Sequence, residues 1–289
     1  MPQQMSDKDL KEALKGLTIP PQPQILVDIQ LEQLSPNPDL KQIAKLISKD
    51  PGLAGTMLKI VNSSFFGLNK TVTDIRQAVN MLGLNLVFNI LTGISIRGAL
   101  SDTHIVALTR FWDSAMDLAE ACMLLARHFK LRKADEAYLL GLFHNCGIPL
   151  LLTRFPDYMT ILQASYAQSE LPLVEIEWES IKSHHAVIGY YIARSWKLPV
   201  ALCQIINAHH ELNDFFANIT AETAAERREM EQLMCVLKLA EHLVGLPMAL
   251  AQQQRDVEWI RHGHDIMDRM NLTEDDLDEL KADLKDVIH

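Results

Sequence analysis

The sequence is poor in the residues that build sheets. Aromatic residues make up only 6% of the 289 positions, whereas 48% are hydrophobic, with Leu, Ile, Ala and Met frequent. This composition favours packed helices over an antiparallel sheet, which would be richer in Val, Thr, Tyr and Phe. We find no convincing strand pattern and no tandem repeat, so the predicted fold class is all-α, in one or two domains.

Cysteine and long apolar runs are also scarce. The chain has four cysteines and no CxxC pair, which predicts reduced, buried thiols instead of disulfides or a thiolate metal site. No run approaches the roughly 18 apolar residues of a membrane span, and the N-terminal MPQQMSDKDL lacks the apolar core of a signal peptide. We therefore expect a cytoplasmic protein with no membrane partner.

Positive charge is sparse as well. The formal net charge is −10 and no long run of Lys and Arg is present, which disfavours nucleic acid as a partner. The motifs GxxxxGK[ST], GxGxxG after a strand, HExxH and GxSxG are missing, so the common nucleotide, zinc-protease and serine-hydrolase sites are disfavoured.

Helical periodicity and capping residues are present along most of the chain. Asp50 before Pro51 predicts a helix start, and Asp74 predicts another, whose helix ends at Gly83. Residues 212–228 turn polar and are interpreted as a loop leading to a helical extension. The predicted helices lie within residues 1–18 and at about 40–47, 51–61, 75–82, 84–100, 111–130, 134–145, 184–196, 199–211, 229–247 and 273–288.

Histidines cluster in the middle of the chain. A single buried histidine is usually a hydrogen-bonded core residue. Here, however, helical spacing turns imidazoles inward on three helices, and such groups are costly to bury unless they share a metal ion, a polar ligand or buried water. The clustered histidines are His144, His184, His185, His209 and His210, and the spacing turns His144, His185 and at least one of His209 and His210 inward.

The charge of this candidate site decides which ions suit it. Asn145 follows His144 and offers a neutral carbonyl oxygen, whereas hydrolytic magnesium, manganese or iron sites use carboxylates. Imidazoles alone would still suit zinc, nickel or cobalt. The alternating Glu175, Glu177 and Glu179 predict a solvated helix face and not paired catalytic acids.

Several segments in a fixed order resemble one known family. IPPQPQIL is similar to its opening LPxLP, LISKDPGLAGTMLKIVNSSFFG to its DPxLxxxLLxxxNSxxxG, and DIRQAVNMLGLNLVFNI to its AIxxLGxxxxxxL. FWDSAMDLA, EAYLLGLFHNCGIPLL and HHAVIGYYIARSWKLPVALCQIINAHHE follow in the order of its later helices. Over roughly residues 15–245 the chain thus resembles the HDOD domain, a non-standard relative of the HD-type metal phosphohydrolases.

The resemblance implies an architecture. An N-terminal helical bundle would pack on an HD-like helical core. The implied division is an N-terminal helix (residues 1–18), an HDOD module (19–215) with an N-terminal subdomain (19–100) and an HD-like core (101–215), and a C-terminal helical extension (216–289) that completes the core.

The resemblance also implies a site. The first histidine of HD hydrolases falls on Ser114, their His-Asp pair on His144 and Asn145, and their later Asp on Glu241. His185, His209 and His210 match the extra histidines of two-metal members. The candidate pocket is therefore Ser114, Asn145 and Glu241, and the candidate ligands of a divalent metal at an eroded site are His144, His185, His209 and His210. No residue is assigned a catalytic role.

Three functions remain open at this point. The favoured one is a non-catalytic signalling module that acts through an unidentified signalling protein or small-molecule ligand. The alternative is a metal-dependent phosphohydrolase acting on a nucleotide or cyclic dinucleotide with a metal-bound hydroxide. A third is a scaffold that binds a partner through the amphipathic C-terminal helix.

Overall fold

The computed structural model describes residues 14–68, 71–100, 106–167 and 173–285, and every regular element within them is a helix. The predicted all-α class is therefore confirmed. The α-helices are α1 (Gln24–Gln33), α2 (Leu40–Ile47), α3 (Pro51–Val61), α4 (Ile75–Leu82), α5 (Leu84–Leu100), α6 (Val106–His128), α7 (Ala134–Phe143), α8 (Gly147–Arg154), α9 (Tyr158–Ala167), α10 (Leu173–Ile181), α11 (His185–Ser195), α12 (Val200–Ala208), α13 (Leu212–Asn218), α14 (Ala224–Val244), α15 (Leu246–Ala251), α16 (Val257–Met270) and α17 (Glu274–Lys285).

The first helices begin at aspartate caps. The side chain of Asp50 accepts hydrogen bonds from the amides of Gly52 and Leu53, and Asp74 accepts one from the amide of Arg76. Each cap satisfies main-chain donors that a helix start leaves unpaired. The predicted starts of α3 and α4 are confirmed, and α4 ends before Gly83 as predicted.

Helix α5 joins the N-terminal helices to the rest of the molecule. It packs against α1, α3 and α4 on one side and against α7 on the other. The amide of Asn89 on α5 donates to the main-chain oxygen of Asp135 at 2.6 Å. The indole of Trp196 holds the N-terminal segment through a 2.8 Å hydrogen bond to the oxygen of Pro20.

The second half of the chain packs around α14. This helix contacts α6, α7, α12 and α16, while α11 lies between α8 and α12. Gly147 begins α8 where that helix meets α11, and a Cβ atom there would collide with the main-chain oxygen of His185. The close approach brings the ends of α7 and α12 and the start of α11 to the same place.

The boundaries of several predicted helices need correction. Helix α7 ends at Phe143 and not at 145, because the chain turns at residues 144–146 before α8 begins at Gly147. Residues 212–228 are not one loop, since α13 lies within them and α14 begins at Ala224, where Thr223 caps it. Seven of the helices were not predicted: α1, α8, α9, α10, α13, α15 and α16.

Two of the predicted helices, one at each end of the chain, extend beyond the described residues. Of the helix predicted within residues 1–18, only residues 14–18 are described, and they begin with a turn. Of the predicted 273–288 segment, the part up to Lys285 is described. The domain boundaries given above stay predictions.

The cysteines and the lengths of the apolar helices agree with the sequence-based expectations. All four cysteines are free and buried. Within the described ranges, no single helix has the length and apolar character needed to cross a bilayer. The pair α4 and α5 meets that test only when taken together, and it bends by 118°.

Candidate functional site

Four imidazoles from three helix ends meet in the interior of the second half. His144 follows α7, His185 begins α11, and His209 and His210 follow α12. All four are buried. The Nε2 atom of His185 lies 3.3 Å from Nε2 of His209 and 3.0 Å from Nε2 of His210.

The outer nitrogen of each ring faces an acceptor. Nδ1 of His144 lies 2.7 Å from the oxygen of Gly141, and Nδ1 of His209 lies 2.7 Å from the oxygen of Ile206. A carbonyl oxygen can only accept, so both Nδ1 atoms carry the proton. In the neutral rings, Nε2 then presents a lone pair to the interior of the cluster.

Two carboxylates orient the other two rings. Glu177 Oε1 lies 2.8 Å from Nδ1 of His185, and Glu177 Oε2 accepts from the main-chain amide of His185 at 2.8 Å. Glu258 Oε1 lies 2.7 Å from Nδ1 of His210. Carboxylates that hold the outer nitrogen of a histidine are the usual supporting groups of histidine metal ligands.

A third carboxylate and a lysine complete the cluster. Glu241 Oε1 lies 3.3 Å from Nε2 of His144, yet neither of these buried atoms has a hydrogen-bond partner. Nζ of Lys238 donates to Glu241 Oε2 at 2.7 Å and to Glu258 Oε2 at 3.1 Å. Within the described parts of the chain, the only ammonium in contact with the cluster therefore sits between the carboxylates of Glu241 and Glu258.

Burial keeps three of the four imidazoles neutral. It lowers the pKa of His144 to about 3 and lowers the pKa of His209 and His210 well below the ordinary value. Burial also raises the pKa of Glu241, which Lys238 opposes. For Lys238 itself, burial favours the neutral amine, but Glu241 and Glu258 outweigh burial and raise its pKa.

The donors form two overlapping sets that could hold a metal ion. In each set the donor atoms lie within 4.8 Å of one another, and His209 belongs to both: one set is His185, His209 and His210, the other His144, His209 and Glu241. Two nitrogens bound about 2.0–2.1 Å from a tetrahedral ion lie roughly 3.3 Å apart. The two separations from His185, to His209 and to His210, are of this size, so the three-histidine set fits a borderline divalent ion.

Comparison with known proteins identifies the family. The sequence model of the HDOD domain matches residues 19–212. This chain belongs to the HDOD family. Among curated proteins, an uncharacterised protein of Treponema pallidum (strain Nichols) is 31% identical over 199 residues, which cover 67% of this chain and 38% of that protein.

A second HDOD relative carries an enzyme name. The cyclic di-GMP phosphodiesterase CdgJ of Vibrio cholerae is 24% identical over 197 residues, or 62% of this chain and 44% of that protein. The HDOD chain thus spans less than half the length of the curated relatives it matches. The phosphodiesterase name applies to the whole of CdgJ and does not by itself assign activity to the matched part.

Solved structures share the fold. An HDOD domain protein from Geobacter sulfurreducens superposes with a TM-score of 0.65 at 17% identity, covering 97% of both chains. A Shewanella amazonensis protein proposed to be a metal-dependent phosphohydrolase superposes with a TM-score of 0.61 at 17% identity, covering 95% of both. These similarities support the helical architecture implied by the HDOD resemblance.

Most of the predicted site residues lie in or beside the cluster of the HDOD core. Asn145 is buried next to His144, and neither its amide nitrogen nor its carbonyl oxygen has a hydrogen-bond partner. Ser114 lies half-buried on α6, and none of the described hydrogen bonds joins it to the histidines. His184 caps α11 and does not enter the cluster through a hydrogen bond.

One prediction about the acidic residues was wrong. Glu177 is fully buried and orients His185, although the alternation of Glu175, Glu177 and Glu179 predicted a solvated face. Helix α10 turns Glu177 inward between two exposed glutamates. Sequence reasoning also missed Glu258, for which no local signal exists. Lys238, in contrast, has a signal, because it interrupts an apolar run three residues before Glu241.

Proposed function

We propose that this HDOD protein is a non-catalytic regulatory module that acts by binding a signalling protein or a small ligand. One observation carries the proposal: among the described residues the histidine cluster is closed, and the cavities found beside it are too small for a phosphoester substrate. The cavities next to Glu241 and Glu258 measure only about 10 and 20 Å³. Ligand pockets are usually about 300–1,000 Å³.

The larger cavities are elsewhere on the described surface. Three of them measure about 540, 380 and 330 Å³, and none is lined by any of the four histidines. A nucleotide bound in one of them would have no contact with the imidazoles. Hydrolysis at the cluster would therefore require the helices around it to separate.

The charges of the cluster also argue against hydrolysis. Hydrolytic sites for hard ions rely on carboxylates that neutralise the ion. In this chain Asn145 is a neutral amide, and Glu241 already holds the ammonium of Lys238. The imidazole set His185, His209 and His210 would hold a single borderline ion, which would supply a Lewis acid when bound.

The alternative function has support of its own. The relative CdgJ is named as a cyclic di-GMP phosphodiesterase, and three imidazole donors are also found in catalytic zinc sites. If this chain hydrolyses phosphodiesters, the cluster must open to bulk solvent. A measurement of phosphodiester turnover therefore distinguishes the hydrolase from the non-catalytic module.

The decisive experiment measures hydrolysis by the full chain, purified without a nickel column. Cyclic di-GMP and bis-p-nitrophenyl phosphate are incubated with the protein in the presence of Mn²⁺, Fe²⁺, Mg²⁺ or Zn²⁺. We expect no turnover above that of His209→Ala. The control variant is His264→Ala, since the side chain of His264 is 93% exposed and lies outside the cluster. Turnover that His209→Ala abolishes and His264→Ala retains would overturn the proposal.

A further inference from the structure

Lys238 is a buried charge without an obvious structural reason to be there. Its side chain is only 3% exposed, and its neighbours in α14, Leu237 and Leu239, are both buried. An ammonium in such surroundings is costly unless it is fully paired. A methionine or leucine would fill the same volume in the helix at a lower cost in desolvation.

The ammonium of Lys238 contacts two carboxylates of the cluster, those of Glu241 and Glu258. Glu241 Oε2, at 2.7 Å, belongs to the donor set that also contains His144 and His209. Glu258 Oε2, at 3.1 Å, belongs to the carboxylate that orients His210. Lys238 therefore occupies the side of the cluster that offers the anionic oxygen atoms of Glu241 and Glu258.

A hard divalent ion would need those same oxygen atoms. Mn²⁺ and Mg²⁺ prefer carboxylates, whereas imidazoles alone favour zinc, cobalt or nickel. An ion bound to Glu241 would lie next to the ammonium and would be repelled by it. It would also have to compete with two charge-assisted hydrogen bonds.

We propose that Lys238 is the resident cation of this site, which keeps hard divalent ions away from Glu241 and Glu258 and so determines which metals the cluster accepts. The inference rests on the proposed function in that it concerns the same closed cluster. A neutral side chain at position 238 creates a site for a hard ion from His144, His209 and Glu241, with Glu258 beside it.

The spacing in α14 explains how one helix supplies both parts of this arrangement. Lys238 and Glu241 are three residues apart, so they lie on the same face of the helix and turn toward the cluster together. Glu258 comes from the first turn of α16, which packs against α14. A change at position 238 therefore alters the charge of the site without removing any donor atom.

The test compares Mn²⁺ binding by metal-free wild-type protein, Lys238→Met and Lys238→Arg. Mn²⁺ binding is followed by calorimetry and by the loss of the electron paramagnetic resonance signal of free Mn²⁺. We expect Lys238→Met to bind one Mn²⁺ per chain at least about tenfold more tightly than wild type, with Lys238→Arg resembling wild type because it keeps the charge. The gain should disappear in Lys238→Met with Glu241→Gln.

A surface lysine provides a matched control. Lys133 also lies between two glutamates, with Nζ 3.4 Å from Glu136 Oε1 and 3.5 Å from Glu229 Oε2, but its side chain is 42% exposed. Lys133→Met removes an ammonium from two carboxylates that lie away from the four imidazoles, and Glu229 keeps its contact with Arg132, so Mn²⁺ binding should not change. An equal gain in Lys133→Met and Lys238→Met would overturn the proposal, because the effect would then be one of net charge.

The result is decisive even if Lys238→Met is poorly folded. Removing one partner of a buried pair leaves the other charge uncompensated, so the variant is also examined by circular dichroism with and without Mn²⁺. Recovery of helix on addition of Mn²⁺ supports the proposal. A folded variant with wild-type Mn²⁺ affinity, or an unfolded one that Mn²⁺ does not recover, overturns it. Hydrolysis by the wild type would instead contradict the proposed function, so the two failures are distinguishable.

Discussion

The described N-terminal helices, residues 24–100, and the helices after residue 106 bury different kinds of side chain. In the first region the buried polar side chains are Asn89 and Thr92, and each donates to a main-chain oxygen. The second region buries four histidines, Glu177, Glu241, Asn145 and Lys238. Glu177 hydrogen-bonds His185 and Lys238 hydrogen-bonds Glu241, whereas the Asn145 amide has no hydrogen-bond partner. The first core is held by shape and apolar area, the second also by mutual pairing of polar groups.

The difference predicts how each region responds to substitution. Loss of an apolar side chain costs the buried contacts and leaves a cavity. Loss of one member of a polar cluster leaves its partner buried and uncompensated, which is a separate penalty. Substitutions in the first region are therefore expected to change stability alone, whereas substitutions in the second should change both stability and ion binding.

The largest expected effect comes from truncating the apolar core. Met57 on α3 is fully buried, so Met57→Ala should lower the free energy of unfolding by about 2–5 kcal/mol. Its affinity for Zn²⁺ should not change, because Met57 belongs to the first region. Chemical denaturation and zinc titration of the folded variant measure the two quantities.

The same substitution at an exposed methionine is the control. Met248 is 51% exposed, so Met248→Ala should change the free energy of unfolding by less than about 0.5 kcal/mol. A clear loss of zinc affinity in Met57→Ala would break the comparison, since it would show that the two regions are coupled.

A smaller effect is expected from the carboxylate that orients His185. In the wild type, one oxygen of Glu177 accepts from the main-chain amide of His185 and the other from its Nδ1. Glu177→Gln keeps the shape of the side chain but leaves a single oxygen that can accept. Zinc affinity should fall by about 10–100-fold, as for other supporting groups of metal ligands. Competition with a chromophoric chelator measures it. Glu179→Gln, on the exposed face of α10, should bind zinc like wild type, and equal affinities in both variants would refute the orienting role.

The smallest expected effect is a pH-dependent change in stability caused by Glu120, in the second region. Burial and the nearby Asp117 raise the pKa of Glu120 on α6 to about 7 from 4.5. The folded state therefore binds more protons than the unfolded chain between these values, and stability falls as the pH rises from 4.5 to 7. Because Glu120 is partly exposed, Glu120→Gln should stabilise the protein by only about 1 kcal/mol at pH 8.

The pH dependence of this gain distinguishes it from a packing effect. It should shrink as the pH falls toward 4.5, where Glu120 is protonated in the folded state. Urea denaturation at pH 8 and pH 5 measures the difference, with Glu175→Gln on the exposed face of α10 as the control. A gain of equal size at both pH values would show that the carboxylate charge is not its cause.

Local signals in the sequence were sufficient for much of the fold. Asp50 with Pro51, and Asp74 with Gly83, mark helix ends because capping is an interaction between residues close in the chain. The end of α7 was misplaced for the opposite reason. At Gly147 a contact with His185, 38 positions away, decides where the chain turns.

The candidate site shows the same division. Helical spacing predicted that His144, His185 and at least one of His209 and His210 turn inward, and all four are buried. The oxygen partners could not be predicted, because the sequence shows which face a residue occupies but not what lies opposite. Glu177 was assigned to solvent, although its carboxylate is fully buried.

By itself, the sequence determined the all-α class and the apolar faces of the helices, while the resemblance to the family implied that Asn145 stands at an aspartate position. Only the tertiary structure decided that His185, His209 and His210 share a centre, that Glu258 supports one of them and that Lys238 bridges two carboxylates. The physical reason is range. Helix formation and capping depend on neighbours a few positions apart, whereas the electrostatics of a buried site depend on every charge that folding brings within a few ångströms.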